Sequence, residues 1–266
     1  MPGFLIDLDG TLYRGTERID CAAEFIQWLQ ERRMPYLFVT NNSSRTPAQV
    51  SGHLRLMGID AEPAQVMTSG LAAAEYIRRH TGKRQTGRTV YLIGENGLEQ
   101  ALKAAGLNIA DQEQPDFVVQ GIDRKFTYDK LNLAVRYILS GAQYILTNPD
   151  HMLPANGGAI PGAGAIAASI RTASGMEPVI IGKPSPIMIN YAVEQLRLPL
   201  EDIWVVGDNL DTDICGGHAA GCRTALVLTG VSKADDLKRW MEMKGTAPDL
   251  VSANLRELIN HFESFV

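Results

Sequence analysis

Phe4-Leu5-Ile6-Asp7-Leu8-Asp9-Gly10-Thr11-Leu12 is the stretch on which the reading of this chain turns. Residues 4 to 8 have the length and composition of a buried strand, and the run ends in two carboxylates and a glycine. Alternation along a strand puts Asp7 and Asp9 on one side, at the carboxyl end where an open α/β sheet keeps its ligand crevice. Clustered carboxylates repel each other and lose hydration, so without a cation one of them is driven toward protonation. Mg²⁺ relieves that conflict, being a hard ion that takes carboxylate oxygens and keeps several waters. Gly10 lets the backbone turn sharply, and Thr11 can hold a carboxylate through its hydroxyl. Taken alone, the segment also fits a strand that simply ends in solvated acids.

The bulk composition fits a globular enzyme. At 266 residues with a hydrophobic fraction of 45%, the chain can bury a core in one large domain or two smaller ones. A net charge of −5 argues against a nucleic-acid or anionic-membrane partner. Cys21, Cys215 and Cys222 are odd in number and lack metal-ligand spacing, which points to idle thiols in a reducing compartment. No apolar run approaches the ~20 residues of a membrane span, and Asp7 comes too early for a signal peptide. The expectation is a cytoplasmic protein.

Strand-like and helix-like segments alternate along almost the whole length, the pattern of a parallel α/β sheet. Ala22, Phe25, Ile26 and Leu29 mark one helical face, followed by a strand at residues 36 to 40 and a helix opened by Thr46 and Pro47. Residues 203–206 and 225–228 read as later strands flanking a helix at 212–220, and a final helix at 254–262 packs across the sheet. The middle carries its own set. Strands are expected at 89–93, 117–119 and 144–147, and helices at 95–105, 128–139 and 164–174, with Gly106, Gly141 and Gly175 as stops. The basic stretch 81–88 marks the entry to this insertion and Gly182 its exit. Residues 157–164, rich in glycine, read as a loop. The expected domains are therefore residues 1–80 with 181–266, and an insertion at 81–180.

Three further strand ends carry chemistry. Thr40-Asn41-Asn42-Ser43-Ser44 offers hydroxyl, amide and backbone N–H donors of the kind that hold phosphate oxygens, although an ordinary turn needs the same residues. Gly182-Lys183-Pro184-Ser185-Pro186 follows an apolar strand, and its lysine can supply a point charge to a phosphoryl group or screen neighbouring carboxylates. Gly207-Asp208-Asn209-Leu210-Asp211-Thr212-Asp213 crowds three aspartates at a strand end, an arrangement that calls for a cation. Asp208 is the direct ligand, Asn209 and Asp213 support it, and Asp211 or Asp213 also suits a helix cap.

In their order and residue types these four sites resemble the haloacid dehalogenase superfamily of phosphohydrolases. Only positions 8–39 separate Asp7 from Thr40, whereas positions 41–182 separate Thr40 from Lys183. A large insertion between the second and third motifs is similar to the C2 cap of that superfamily. Thr-Asn-Asn, Gly-Lys-Pro-Ser-Pro and Gly-Asp-Asn-Leu-Asp-Thr-Asp look like its NagD-like and 4-nitrophenyl phosphatase branch. The resemblance implies a Rossmann-like core with a parallel sheet, plus an inserted α/β C2 cap.

It also implies Mg²⁺-dependent hydrolysis of small phosphomonoesters. Asp7 would be the nucleophile, giving an aspartyl-phosphate. Asp9 would be the general acid and then base, protonated at first because the carboxylates crowd it. Thr40, Asn41, Asn42 and Lys183 would hold the phosphoryl group. Mg²⁺ would sit on the Asp7 side chain, the Asp9 carbonyl and Asp208. The cap would close over the site, and the loop Thr147-Asn148-Pro149-Asp150-His151 would face the substrate, with Asn148, Asp150 and His151 choosing the leaving group. The implied partner is a small phosphorylated metabolite, with a homodimer through the cap allowed. Two other readings stand beside this one. A mutase resembles chains with a cap between the first two motifs, for which the gap is too short here. A phosphometabolite-binding or regulatory protein on the same scaffold should have lost Asp7, Asp9, Lys183 or Asp208, and all four are present.

Overall fold

A computed structural model describes residues 1–80, 88–110, 113–155 and 158–264. The chain divides into two compact units, residues Met1–Thr40, Ala48–Met67 and Lys183–Val266 in the first, Asn41–Pro47 and Thr68–Gly182 in the second.

The first unit is built on a sheet in the order Leu250–Ser252, Arg223–Val227, Ile203–Gly207, Gly3–Ile6, Tyr36–Thr40, Val66–Thr68. Gly3–Ile6 pairs in parallel with Ile203–Gly207 on one side and with Tyr36–Thr40 on the other. The chain leaves the first strand toward one edge and returns on the opposite side, so the strand order reverses at the carboxyl end of Gly3–Ile6. Open α/β sheets place their ligand crevice at such a point. The helix Ala22–Glu31 buries Ala22, Phe25, Ile26, Trp28 and Leu29. Leu255–Glu263 buries Leu255, Leu258, Ile259 and Phe262, one stripe at helical spacing. Phe262 meets Phe4 edge-on at 5.1 Å and Trp204 at 5.0 Å, tying the last helix to the first strand.

The second unit has a five-stranded sheet in the order Val179–Ile180, Gln143–Leu146, Phe117–Gln120, Thr89–Ile93, Asn108–Ile109, parallel throughout. The helices Asn96–Ala104, Tyr128–Leu139 and Ala163–Ser174 fall where the sequence expects them, and Gly175 ends the last in a left-handed cap.

Three local expectations need correction. Residues 158–161 form a strand, paired antiparallel with Met152–Ala155, because alternate backbone groups find a partner that the glycine-rich composition does not advertise. The helix expected at 212–220 begins earlier and in two pieces, a π-helical turn Leu210–Ile214 and then Cys215–Ala219. Asn41–Pro47 and the helix Ser69–His80 group with the second unit rather than the first; there the Gly97 N–H donates to the Ser44 carbonyl at 3.0 Å, and a Cβ on Gly97 would meet the Arg45 backbone at 2.5 Å. Of the entry stretch at 81–88, residues 81–87 lie outside the described residues. Among the described residues, no helix is long and apolar enough to cross a membrane.

Phe262→Ala should destabilise the first unit by about 3–5 kcal/mol, the usual loss for emptying a buried aromatic site. Denaturant unfolding followed by Trp28 and Trp204 fluorescence measures it, and a loss under ~1 kcal/mol would show that the last helix is not part of this core.

Candidate active site

The strand Gly3–Ile6 stops one residue before Asp7, whose N–H donates to the Val206 carbonyl at 2.8 Å and so holds it against the neighbouring strand. Gly10 then turns the chain with φ of +90°, a conformation that a side chain would strain. Strand alternation therefore does not run on to Asp9. The carboxylates that cluster are Asp7, Asp208 and Asp213, with ligand oxygens all within 4.8 Å of one another, while Asp9 is exposed and lies outside the cluster. Asp7 is therefore crowded by two further carboxylates.

Lys183 lies among these acids. Its ammonium donates to Asp7 Oδ1 and to Asp213 Oδ1, each at 2.6 Å, and to the Val39 carbonyl at 3.2 Å. The side chains of Lys183 and Asp213 are 3% and 1% exposed and that of Asp7 is 12% exposed, so the ion triad is almost shut off from water. Burial alone would lower the Lys183 pKa, but Asp213 and Asp7 outweigh it and hold the ammonium charged. Burial raises the Asp7 pKa well above the usual carboxylate range. Lys183 opposes this shift, while Asp213 and Asp208 reinforce it. Asp213 is placed by the π-helical turn, and its Oδ2 accepts the Asn209 N–H at 3.1 Å. Asn209 supports the site through that backbone N–H, since its side chain caps the turn at Asp211 N.

Asp208 is buried in front of a loop that the sequence reading passed over. Its Oδ2 accepts the Val231 N–H at 2.6 Å, its carbonyl accepts the Ser232 N–H at 3.1 Å, and Thr11 donates to Oδ1 at 3.4 Å. Burial and the Asp213 charge push the Asp208 pKa up to about 7, against the pull of the Val231 N–H. Residues 229–232 follow the strand Arg223–Val227, so the strand-end rule that found the other motifs also points to them. Asp211 does not join the cluster. It accepts the Trp240 indole N–H at 3.1 Å and lies 3.5 Å from the Lys244 ammonium.

With three carboxylates facing one ammonium, the cluster carries two negative charges in excess when ionised. An all-oxygen donor set of that charge, in which Asp7 and Asp208 are pushed toward protonation, suits a hard divalent cation.

The remaining expected residues divide between the units. Thr40 is buried at the end of its strand in the first. Asn41, Asn42, Asn148, Asp150 and His151 are in the second. There Asn41 Nδ2 donates to both Asp150 oxygens at 3.2 Å, and Asn148 Nδ2 donates to the Asn41 carbonyl at 2.8 Å, so three of the five come together. Asn42 accepts the Ser44 and Arg45 N–H groups, the hydrogen bonds of an ordinary Asx turn. His151 is exposed.

Comparison with known proteins gives a consistent picture. Residues 4–108 match the family described as Haloacid dehalogenase-like hydrolase, and residues 180–258 match a second described as HAD-hydrolase-like. An acid sugar phosphatase of Staphylococcus epidermidis is 46% identical over 88% of this chain and 89% of that protein. A p-nitrophenyl phosphatase from Archaeoglobus fulgidus superposes with a TM-score of 0.90 at 35% identity, covering 98% of both chains. NagD from E. coli K-12 superposes with a TM-score of 0.87 at 33% identity, covering 97% of this chain and 98% of its own.

Asp208 dictates a pH response in the metal-free protein. Its carboxyl keeps a proton up to about pH 7 when folded and loses it near 3.8 when unfolded. Between those values the unfolded chain binds fewer protons, so stability falls as pH rises, and Asp7 acts with the same sign. In EDTA the melting temperature should fall across that window, with a shallower slope in Asp208→Asn. A melting temperature that climbs over the same window contradicts the burial of these acids.

Proposed function

The chain belongs to the haloacid dehalogenase-like hydrolases, as a phosphatase of their NagD-like branch; from that premise we infer that it hydrolyses small phosphomonoesters through a covalent phosphoryl group on Asp7. The observation that carries the reading is Asp7 itself, which sits at the strand-order reversal with Lys183 on one oxygen and Asp208 and Asp213 beside it.

Asp7 is the nucleophile. Its position is fixed by its own N–H on Val206 and by the Lys183 ammonium, so little reorientation precedes attack on phosphorus. Lys183 stays charged and meets the negative charge brought by the phosphoryl oxygens. Asp213 balances Lys183, and the Asp213–Asn209 hydrogen bond keeps it there. Asp9, exposed and outside the group of clustered carboxylates, suits proton transfer to the leaving alkoxide and then from water. Thr40 ends the adjoining strand as a neutral phosphate donor, with Asn41 and Asn42 next in the chain. The Asp7 side chain, the Asp9 carbonyl and Asp208 would hold Mg²⁺, which would supply the charge neutralisation that an anionic nucleophile needs beside an anionic ester.

Relatives named acid sugar phosphatase and p-nitrophenyl phosphatase support a small phosphomonoester, a phosphorylated sugar above all. The residues 68–182 unit, with Asn148, Asp150 and His151, is the proposed source of leaving-group choice. Three free thiols among the described residues support a reducing, cytoplasmic setting.

Release of 4-nitrophenol from 4-nitrophenyl phosphate tests the reading. Wild-type protein should turn over only with Mg²⁺ present, and Asp7→Asn should lose activity by ~10³ or more with its circular dichroism unchanged. Steady turnover by the variant would sink the assignment of Asp7.

A further inference from the structure

The Asp208 carboxylate lies in a slot between two glycines from different loops. A Cβ built on Gly10 would stand 2.3 Å from Asp208 Oδ2, and one built on Gly230 would stand 1.9 Å from the same oxygen. No side chain fits at either position without moving the carboxylate. A side-chain hydrogen bond joins the two walls directly: the hydroxyl of Thr229, a residue 8% exposed, donates to the Gly10 carbonyl at 2.7 Å. Arg14 reinforces the junction from the Gly10 side, donating through Nε to the Thr229 carbonyl at 2.8 Å and through its guanidinium terminus to the same oxygen. On the far side, Ser232 Oγ accepts the Leu210 N–H at 3.0 Å, which fixes the loop to the turn that carries Asp213.

We propose that Thr229 is a positioning residue for the metal site, setting the width of the Gly10–Gly230 slot and with it the orientation of the Asp208 carboxylate. This rests on Asp208 holding Mg²⁺, as inferred above. The physical reason is the difference between an oriented ligand and a mobile one. With Oδ2 on the Val231 N–H and Oδ1 within reach of Thr11, the carboxylate cannot rotate while both walls stay in place. Releasing the Thr229–Gly10 bond opens the slot, so part of the cation's binding energy then goes into ordering the ligand. Partners that orient metal ligands typically change affinity by about 10–100-fold.

Isothermal titration calorimetry of the full-length protein with MgCl2 tests this, beside the metal-free melting temperature. Thr229→Val should weaken Mg²⁺ binding by about tenfold or more, raise the Mg²⁺ concentration needed for half-maximal turnover in parallel, and leave kcat at saturating Mg²⁺ little changed. Thr229→Ser, which keeps the hydroxyl, should restore the affinity. Gly230→Ala, which fills the slot, should weaken binding further, and Thr229→Val keeps the test alive if Gly230→Ala does not fold. Equal Mg²⁺ affinity in wild type and Thr229→Val overturns the proposal. So does weakening in Thr229→Ser as large as in Thr229→Val, or a loss accompanied by collapse of the metal-free fold. Failure of the wild type itself to bind Mg²⁺ would instead remove the metal reading on which the proposal rests.

Discussion

Everything at the site depends on one buried ammonium. Lys183 donates to Asp7 and Asp213 at 2.6 Å in surroundings that exclude most water. Without it, three carboxylates would share a pocket that lacks the solvent to screen them, and Asp7 and Asp208 would lose the charge that opposes their protonation. With it, Asp7 is drawn toward ionisation and held in place. Removing one partner of such a buried group is typically worth ~3–5 kcal/mol, because the remaining charges are left uncompensated. On the proposed function, the same contact serves stability and reactivity.

The sheet explains why these groups meet at all. Asp7, Thr40 and Asp208 each follow or end a parallel strand, and the strand order reverses at Asp7. Lys183 comes from the start of the segment that carries the helix Pro186–Leu196, with Ser185 capping and Pro186 in its first turn. Small residues allow the approach. Gly207 leaves room for Asp213, whose Cγ would lie 2.2 Å from a Cβ there, just as Gly10 and Gly230 leave room for Asp208. Close backbone contact, rather than long side chains, sets the spacing of the acids.

Much of this is legible in the chain. The alternation of apolar runs with helical stripes is enough to order most of the elements, and the four strand-end motifs announce the acids and the lysine. Other parts escape for identifiable reasons. Ser69–His80 buries one large apolar residue, Ile77, beside Ser69, Gly70, Ala72, Ala73 and Ala74, which are too small to mark an apolar face. Ala234–Lys244 buries only Trp240, so no stripe marks it. The strand Gly158–Pro161, paired with Met152–Ala155, is hidden by the glycines and prolines of its own sequence. Thr229 and Gly230 carry no charge, and their part emerges only from the contact of two loops 219 positions apart in sequence. The alternation that put Asp7 and Asp9 on one side relied on a strand running to Leu8, whereas the strand ends at Ile6.

The central claim is covalent: the phosphoryl group passes through Asp7. A single turnover with an excess of enzyme over 4-nitrophenyl phosphate and Mg²⁺, quenched in acid and mapped by peptide mass spectrometry, tests it most directly. The account predicts a transient phosphorylated peptide spanning Asp7, with the modification on that residue. Phosphate released at full rate with no modified peptide, or with the modification on Asp9 or Asp208, would contradict it.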